Sequence, residues 1–284
     1  KGDFPGLVEV KHHEKLKLGV DEFEEFKIFF DKCYSYFSKI EKTDLDEYID
    51  LMKKVGINMN FAPILDTAKN EYKGYLSEHN RAYSDQDKTV KKLSGIAITK
   101  MQENGIITVG KHFPGYGHIE KNPHDDIDTT NSDFINEGKQ TTFSSAVSEH
   151  NIKAIMKGHV LSPLDKEKPA TISEKTEKYL REELKFTGLS ITDQIFMNSL
   201  NEYYDKHGGD LEYTKRITDA VKTNDIVLMS YPKGIDRERN IDSHSHFPRL
   251  HKAVVLAVEK GEINEEKVDE SFERITRLKD GIIH

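Results

Sequence analysis

Five short apolar runs alternate with longer stretches of helical periodicity, and this alternation most constrains the fold. The runs are "GINMNFAPIL" (56–65), "IITVGKHF" (106–113), "IKAIMKGHV" (152–160), "LSITDQI" (189–195) and "DIVLMSY" (225–231). Between or before them lie amphipathic segments. These are "DEYIDLMKKV" (46–55), 87–105 ending at Gly105, 143–151, 172–186 opening on Ser173 as a cap and followed by Gly188, and 214–223. Helices are predicted to fill most of 248–279. Strand–helix alternation calls for parallel strands joined by helical crossovers, which means a doubly wound sheet or a closed barrel. Polar residues stand just after almost every strand: Asp66, then Lys111 and His112, then His159, then Asp193, then Ser230. In a barrel those ends converge on one rim, where catalytic groups belong. In a doubly wound sheet they meet only at one switch point. No GxGxxG fingerprint and no Walker A loop follows any strand. The expected fold is therefore α/β, with a closed barrel favoured over a doubly wound sheet.

Length and charge fit this expectation. A chain of 284 residues suits one such barrel. Charged residues make up 32% and the net charge is −8, so nothing draws the chain in bulk to nucleic acid or anionic lipid. Cys33 is the one cysteine, which excludes an intrachain disulfide; its aromatic neighbours in "FFDKCYSYF" mark it as a structural thiol. No apolar stretch is long enough for a membrane span. No signal peptide is visible, but the chain opens on Lys1, so cytoplasmic and extracytoplasmic locations both stay open. Composition does not set the oligomeric state.

The segment "GKHFPGYGHIEKNPHDD" (110–126) carries His112, His118 and His124 among three glycines and two prolines, directly after a strand. With "NFAPILD" (60–66), "NRAYSD" (80–85), "AIMKGHV" (154–160), "PATIS" (169–173), "LREELKFTGLSITDQIFM" (180–197) and "VDESFERITRLK" (268–279), it resembles glycoside hydrolase family 3. The likeness is greatest to the β-N-acetylglucosaminidase (β-hexosaminidase) branch of NagZ-like enzymes. It covers most of 50–200 and returns at the C-terminus. It implies an α/β fold, a (β/α)8 TIM-type barrel with 1–284 as a single domain, and a retaining exo-hydrolase that removes terminal β-linked N-acetylglucosamine from cell-wall or chitin-derived saccharides, as in peptidoglycan recycling. The implied partner is a small saccharide, with no cofactor and no metal.

The resemblance distributes roles. Asp193 matches the nucleophile, which an oxocarbenium-like transition state requires beneath the anomeric carbon; on residue type alone it reads equally well as a helix cap. His124 matches the proton donor, a task that suits an imidazole titrating near neutrality; the alternative is a solvated loop histidine. Lys111, His112, Arg81, Asp66, His159 and Met197 are assigned to substrate binding. For Lys111 and His112 the alternative is a strand-end ion pair, and for His159 a satisfied core histidine.

Three departures stand out. Where relatives have Asp-x-His, this chain has Asn122-Pro123-His124. Asparagine can orient an imidazole but cannot neutralise its charge, so slow turnover, or a saccharide-binding protein on the same scaffold, is the rival reading; a family 3 β-glucosidase is another. Tyr116 stands where the family usually has histidine in KHFPGHG. No DQEGG stretch precedes "GINMNFAP", and "DFPGLVEV" (3–10) matches the segment after it, so the first barrel strands are expected to be missing. An H-x-H in "SHSH" (243–246) is reminiscent of metal-dependent amidohydrolases. There the motif closes the first strand, whereas here it follows the last, so metal catalysis is rejected.

Overall fold

The computed structural model describes residues 45–68, 76, 81–116, 119, 127–129, 141–209, 213–229 and 243–281, the side chains of 243–246 excepted. The chain divides into two compact units, Val8–Asn58 and Lys1–Leu7 with Met59–His284. The described part of the first unit is helix α1 (Leu45–Lys54) and the turn after it. Asp46 and Glu47 open α1 and Lys53 and Lys54 close it, each complementing the helix dipole. Gly56, at φ 76°, ends it.

The second unit is α/β with parallel sheets. Its order is β1 (Met59–Asn60), α2 (Asp87–Glu103), β2 (Ile107–Phe113), β3 (Asp128–Thr129), α3 (Thr142–Ser148), β4 (Ala154–Lys157) and β5 (Val160–Leu161). A 3-10 turn (Ala170–Ile172), α4 (Glu174–Lys178) and a π turn (Tyr179–Glu183) follow. Then come β6 (Leu189–Thr192), α5 (Asn198–Lys206), α6 (Thr214–Thr223), α7 (Ser243–Glu259) and α8 (Glu265–Asp280). No described helix is long and apolar enough to cross a membrane.

The main sheet runs β1-β2-β4-β6, every pair parallel. Beyond β6 the chain at 226–228 lies alongside it: Ile191 bridges Ile226, and Ile195 N–H reaches Leu228 O at 3.2 Å. Strands are therefore added in chain order on one edge. A doubly wound sheet would reverse direction in mid-sheet. The predicted strand at 56–65 forms a ladder only at 59–60, because Pro63 has no N–H to give; Ile64 rejoins by a single bridge to Lys111. The predicted strand at 225–231 is likewise reduced to the Ile226 bridge, and 230–231 lie outside the described residues.

The two faces of the sheet differ. On one, Leu65, Phe113, Ile152 and Ile155 pack against Ile98 of α2, Phe143 and Ala146 of α3, and Leu180 and Phe186. On the other, alternate strand residues (Ile107 and Val109, Ala154 and Met156, Leu189 and Ile191) meet one another. The period-2 alternation thus holds in β2, β4 and β6, and it places Lys111 and Asp193 in step with the second set. Helix α2 buries Val90, Ala97, Ile98 and Met101, a stripe at helical spacing, and stops before Gly105 at φ 76°. Ser173 caps α4 as expected, its hydroxyl accepting from Thr176 N–H at 3.0 Å.

The predicted helix over 172–186 is instead three short turns of different pitch. The π turn ends where Arg181 turns back on the chain, donating to Phe186 O at 3.1 Å and Gly188 O at 2.6 Å. Arg181 also joins a buried ionic network. It pairs with Glu177 at 2.8 Å and Asp225 at 2.6 Å; Asp225 also pairs with Lys267 at 3.1 Å and Arg274 at 2.9 Å. Asp225 further accepts from Ser190 N–H at 2.9 Å and Ser271 Oγ at 2.7 Å. Burial alone would raise its carboxyl, but the cations hold it far below the ordinary carboxylate range. Fully buried Lys157, at the end of β4, extends the network by pairing with Glu177 at 2.9 Å. These charges tie α4, β6 and α8 together below the strand ends discussed next.

Candidate active site

The C-terminal ends of β2, β4 and β6 bring together most of the residues singled out in the sequence. Strand β2 shifts register between Lys111 and Phe113, so it presents Lys111 and His112 in succession at its end. The peptide bond between them is cis, as are Ala62–Pro63 and Phe113–Pro114. Asp66 lies beside this end, 1% exposed. One of its oxygens accepts from His112 N–H at 3.0 Å and His112 Nδ1 at 2.8 Å; the other accepts from Tyr116 N–H at 2.7 Å. A carboxylate only accepts, so Nδ1 carries the proton and Nε2 is left for another partner. Among the described residues His112 Nε2 has no hydrogen bond. The Tyr116 ring stacks on His112 at 4.5 Å between centroids and 24° between planes.

Lys111 is buried, 6% exposed, and its ammonium makes no hydrogen bond among the described residues. Burial and the Arg81 charge lower it from 10.5 to about 8, against the opposing pull of Asp193 and Asp66. Arg81 is partly exposed, and its backbone N–H donates to Leu76 O at 2.9 Å. A buried cation without a hydrogen-bonding partner is costly unless a ligand supplies acceptors.

Asp193 follows β6 directly. Its N–H donates to Lys157 O at 2.9 Å, and its Oδ1 accepts from Gln194 N–H at 2.8 Å. Oδ2 has no hydrogen-bond partner among the described residues. Burial pushes this carboxyl up, but His112, His159, the Gln194 N–H and Lys111 outweigh burial and bring it below 3.8. It is a preformed anion with one oxygen unpartnered among the described residues, in the field of three basic side chains. Such a group can attack an electrophilic carbon or stabilise a developing cation.

His159 is 1% exposed and engaged on both ring nitrogens: Nδ1 with Thr171 Oγ1 at 2.7 Å and Nε2 with Gln194 O at 2.7 Å. The carbonyl can only accept, so Nε2 carries a proton. The ring thus faces protein groups rather than a vacant space. Met197 is buried in the turn after Asp193, its N–H donating to Gln194 O at 3.2 Å. Asn122 and His124 lie outside the described residues. The chain on either side of them is described. Ile119 N–H donates to Tyr116 O at 3.3 Å, Ile127 N–H donates to Glu202 Oε2 at 2.9 Å, and β3 pairs with β5 immediately after His159.

Three participants escaped the sequence reading. Thr171 of "PATIS" orients His159, Gln194 links His159 to Asp193, and Gly158 gives room to Tyr116. The only signal for them was their place inside quoted motifs. A cleft lined by Gln102, Lys153, Gly188 and Arg277 sits at the opposite, N-terminal ends of the strands, away from these groups.

Residues 49–278 match the glycosyl hydrolase family 3 N-terminal domain. Over 243 residues the chain is 26% identical to beta-hexosaminidase A of Pseudoalteromonas piscicida, covering 80% of this chain and 38% of that protein. It is 32% identical over 145 residues to the beta-hexosaminidase of Methylobacillus flagellatus, covering 50% of this chain and 40% of that one. The chain thus spans about two fifths of the length of these curated relatives. Among solved structures, a glycoside hydrolase family 3 beta-N-acetylglucosaminidase from Paenibacillus sp. str. FPU-7 superposes with a TM-score of 0.67 at 29% identity, covering 82% of this chain and 41% of that one. CbsA from Thermotoga neapolitana superposes at 0.66 and 22% identity, covering 84% of this chain and 49% of that one, a likeness of fold.

Proposed function

Because the chain belongs to the glycosyl hydrolase family 3 N-terminal domain family, we propose that it is a retaining exo-β-N-acetylhexosaminidase acting on a small saccharide. In this reading residues 1–284 make one catalytic domain, a (β/α)8 barrel. Strands added in chain order on one edge, and a sheet face lined by its own strand residues, support that closure.

The mechanism follows from the charges. Asp193 attacks the anomeric carbon through its free oxygen while the glycosidic C–O bond breaks, and the His124 imidazolium gives its proton to the leaving oxygen. A covalent glycosyl–Asp193 ester results. Neutral His124 then takes a proton from water, the water oxygen displaces Asp193, and the sugar leaves with its configuration retained. Lys111, His112, Asp66 and Arg81 bind hydroxyls, and Lys111 and His112, together with His159, keep Asp193 ionised. Met197 walls the sugar subsite. The observation that carries this reading is an ionised carboxylate with one oxygen unpartnered among the described residues, in the field of a buried ammonium that makes no hydrogen bond among them, each shifting the other.

The test is hydrolysis of a nitrophenyl N-acetylglucosaminide, with the glucoside as control. Asp193→Ala is expected to abolish turnover, and a 2-fluoro sugar is expected to label the peptide holding Asp193. Unchanged turnover in Asp193→Ala overturns the assignment. Asn122 favours a second reading, a saccharide binder with impaired catalysis. If Asn122→Asp raises turnover by about tenfold or more, the size of effect a positioned acid–base partner brings, that reading gains.

A further inference from the structure

Tyr116 departs from the family pattern, and the structure gives it more contacts than a packing substitute needs. Its ring stacks on His112, and its N–H donates to the Asp66 oxygen opposite the one that holds His112. Its hydroxyl accepts from His159 N–H at 2.5 Å. From His159 the path continues through Nε2 to Gln194 O at 2.7 Å, and from Gln194 N–H to Asp193 Oδ1 at 2.8 Å. The end of β2 and the turn after β6 are otherwise separated by β4. Gly158 makes this possible: a Cβ there would lie 2.6 Å from the Tyr116 ring and 2.7 Å from its hydroxyl. Tyr116 is 3% exposed, and burial and the Asp193 charge keep its phenol protonated and neutral.

We propose that Tyr116 is a positioning residue that sets the Asp193 carboxylate against Lys111 and His112, acting through the His159–Gln194 link. This deepens the proposed hydrolase reading and rests on it for its kinetic arm. A histidine at position 116 has a shorter ring and no hydroxyl, so this bridge goes with the tyrosine, and Gly158 is its structural complement.

Two variants of the full chain test the proposal. Tyr116→Phe keeps the ring over His112 and Gly158 but removes the acceptor for His159 N–H. Gly158→Ala keeps the hydroxyl but displaces the ring. For each, three quantities are read: kcat and KM on the nitrophenyl N-acetylglucosaminide, the denaturation midpoint, and the Asp193 titration by carboxyl ¹³C NMR. In both, kcat is expected to fall about tenfold or more with KM within about twofold, as for a lost preorganising contact. The Asp193 midpoint is expected to move up toward the ordinary carboxylate range. If the wild-type chain does not turn over substrate but the Asp193 midpoint still moves, positioning stands and the hydrolase reading fails. If both variants lower the denaturation midpoint while the Asp193 titration stays put, Tyr116 is only a packing residue and the proposal is overturned.

Discussion

Lys111 should make the protein less stable than it could be, and replacing it should reveal by how much. It is 6% exposed, and burial together with Arg81 lowers it from 10.5 to about 8. That difference corresponds to about 3 kcal/mol of preference for the neutral amine in the folded state. The folded-state value lies below the unfolded one, so the cost is present in full below about pH 8. It is relieved as pH rises toward about 10.5, where the unfolded chain also loses the proton. Lys111→Met keeps the length of the side chain and removes the charge. Asp66 retains its three N–H donors, and Asp193 retains His112, His159 and the Gln194 N–H. Part of the gain is offset because Asp193 loses one counter-charge, leaving about 1–3 kcal/mol of added stability at pH 7. Urea unfolding of both proteins from pH 7 to about 10 measures it. The difference should shrink steadily over that window as catalytic turnover in the variant stays lost. A variant that is less stable at pH 7, or a difference that does not change with pH, refutes the view that this ammonium is held at a cost for a ligand.

Three further outcomes are expected. Asp225→Asn leaves Arg181, Lys267 and Arg274 without their shared anion and should cost about 3–5 kcal/mol by urea unfolding. Because the folded-state Asp225 carboxyl lies below its ordinary value, its stabilisation is present above about pH 4 and is lost as pH falls, so wild type and variant should converge in acid denaturation. Gly188→Ala places a Cβ 2.4 Å from Lys153 O, forcing β4 and β6 apart at their entry, and should cost about 1–3 kcal/mol by thermal unfolding. The pH profile of kcat/KM should fall above about pH 8 as Lys111 loses its proton, and in Lys111→Arg, whose cation does not titrate in this range, any residual activity should show no such alkaline limb.

The sequence carries the strand ends better than it carries the strands. Periodicity marks β2, β4 and β6 because each buries one face on helices and the other on its neighbours, which demands near-continuous apolar residues. It overstates 56–65, since an apolar run says nothing about whether Pro63 can join a ladder. It merges 172–186 into one helix, since helical spacing does not separate α from π pitch over a few turns. Asp66, Lys111, His112 and Asp193 were legible because a polar residue closing an apolar strand is anomalous unless something at that rim needs it. His159 was legible as a position but not as a contact: whether an imidazole faces a sugar or a carbonyl depends on Thr171 and Gln194, which reach it only through the folded chain. Tyr116 shows the same limit in reverse. As a letter it is a conservative ring-for-ring change, and its meaning appears only when Gly158, from the next strand, leaves the hydroxyl room to meet His159 N–H. The residues that hold charge are thus readable one at a time, while those that aim it are readable only in pairs. It follows that substitutions among the aiming residues should couple non-additively, Tyr116→Phe costing little further activity once Gly158 has already been changed to alanine.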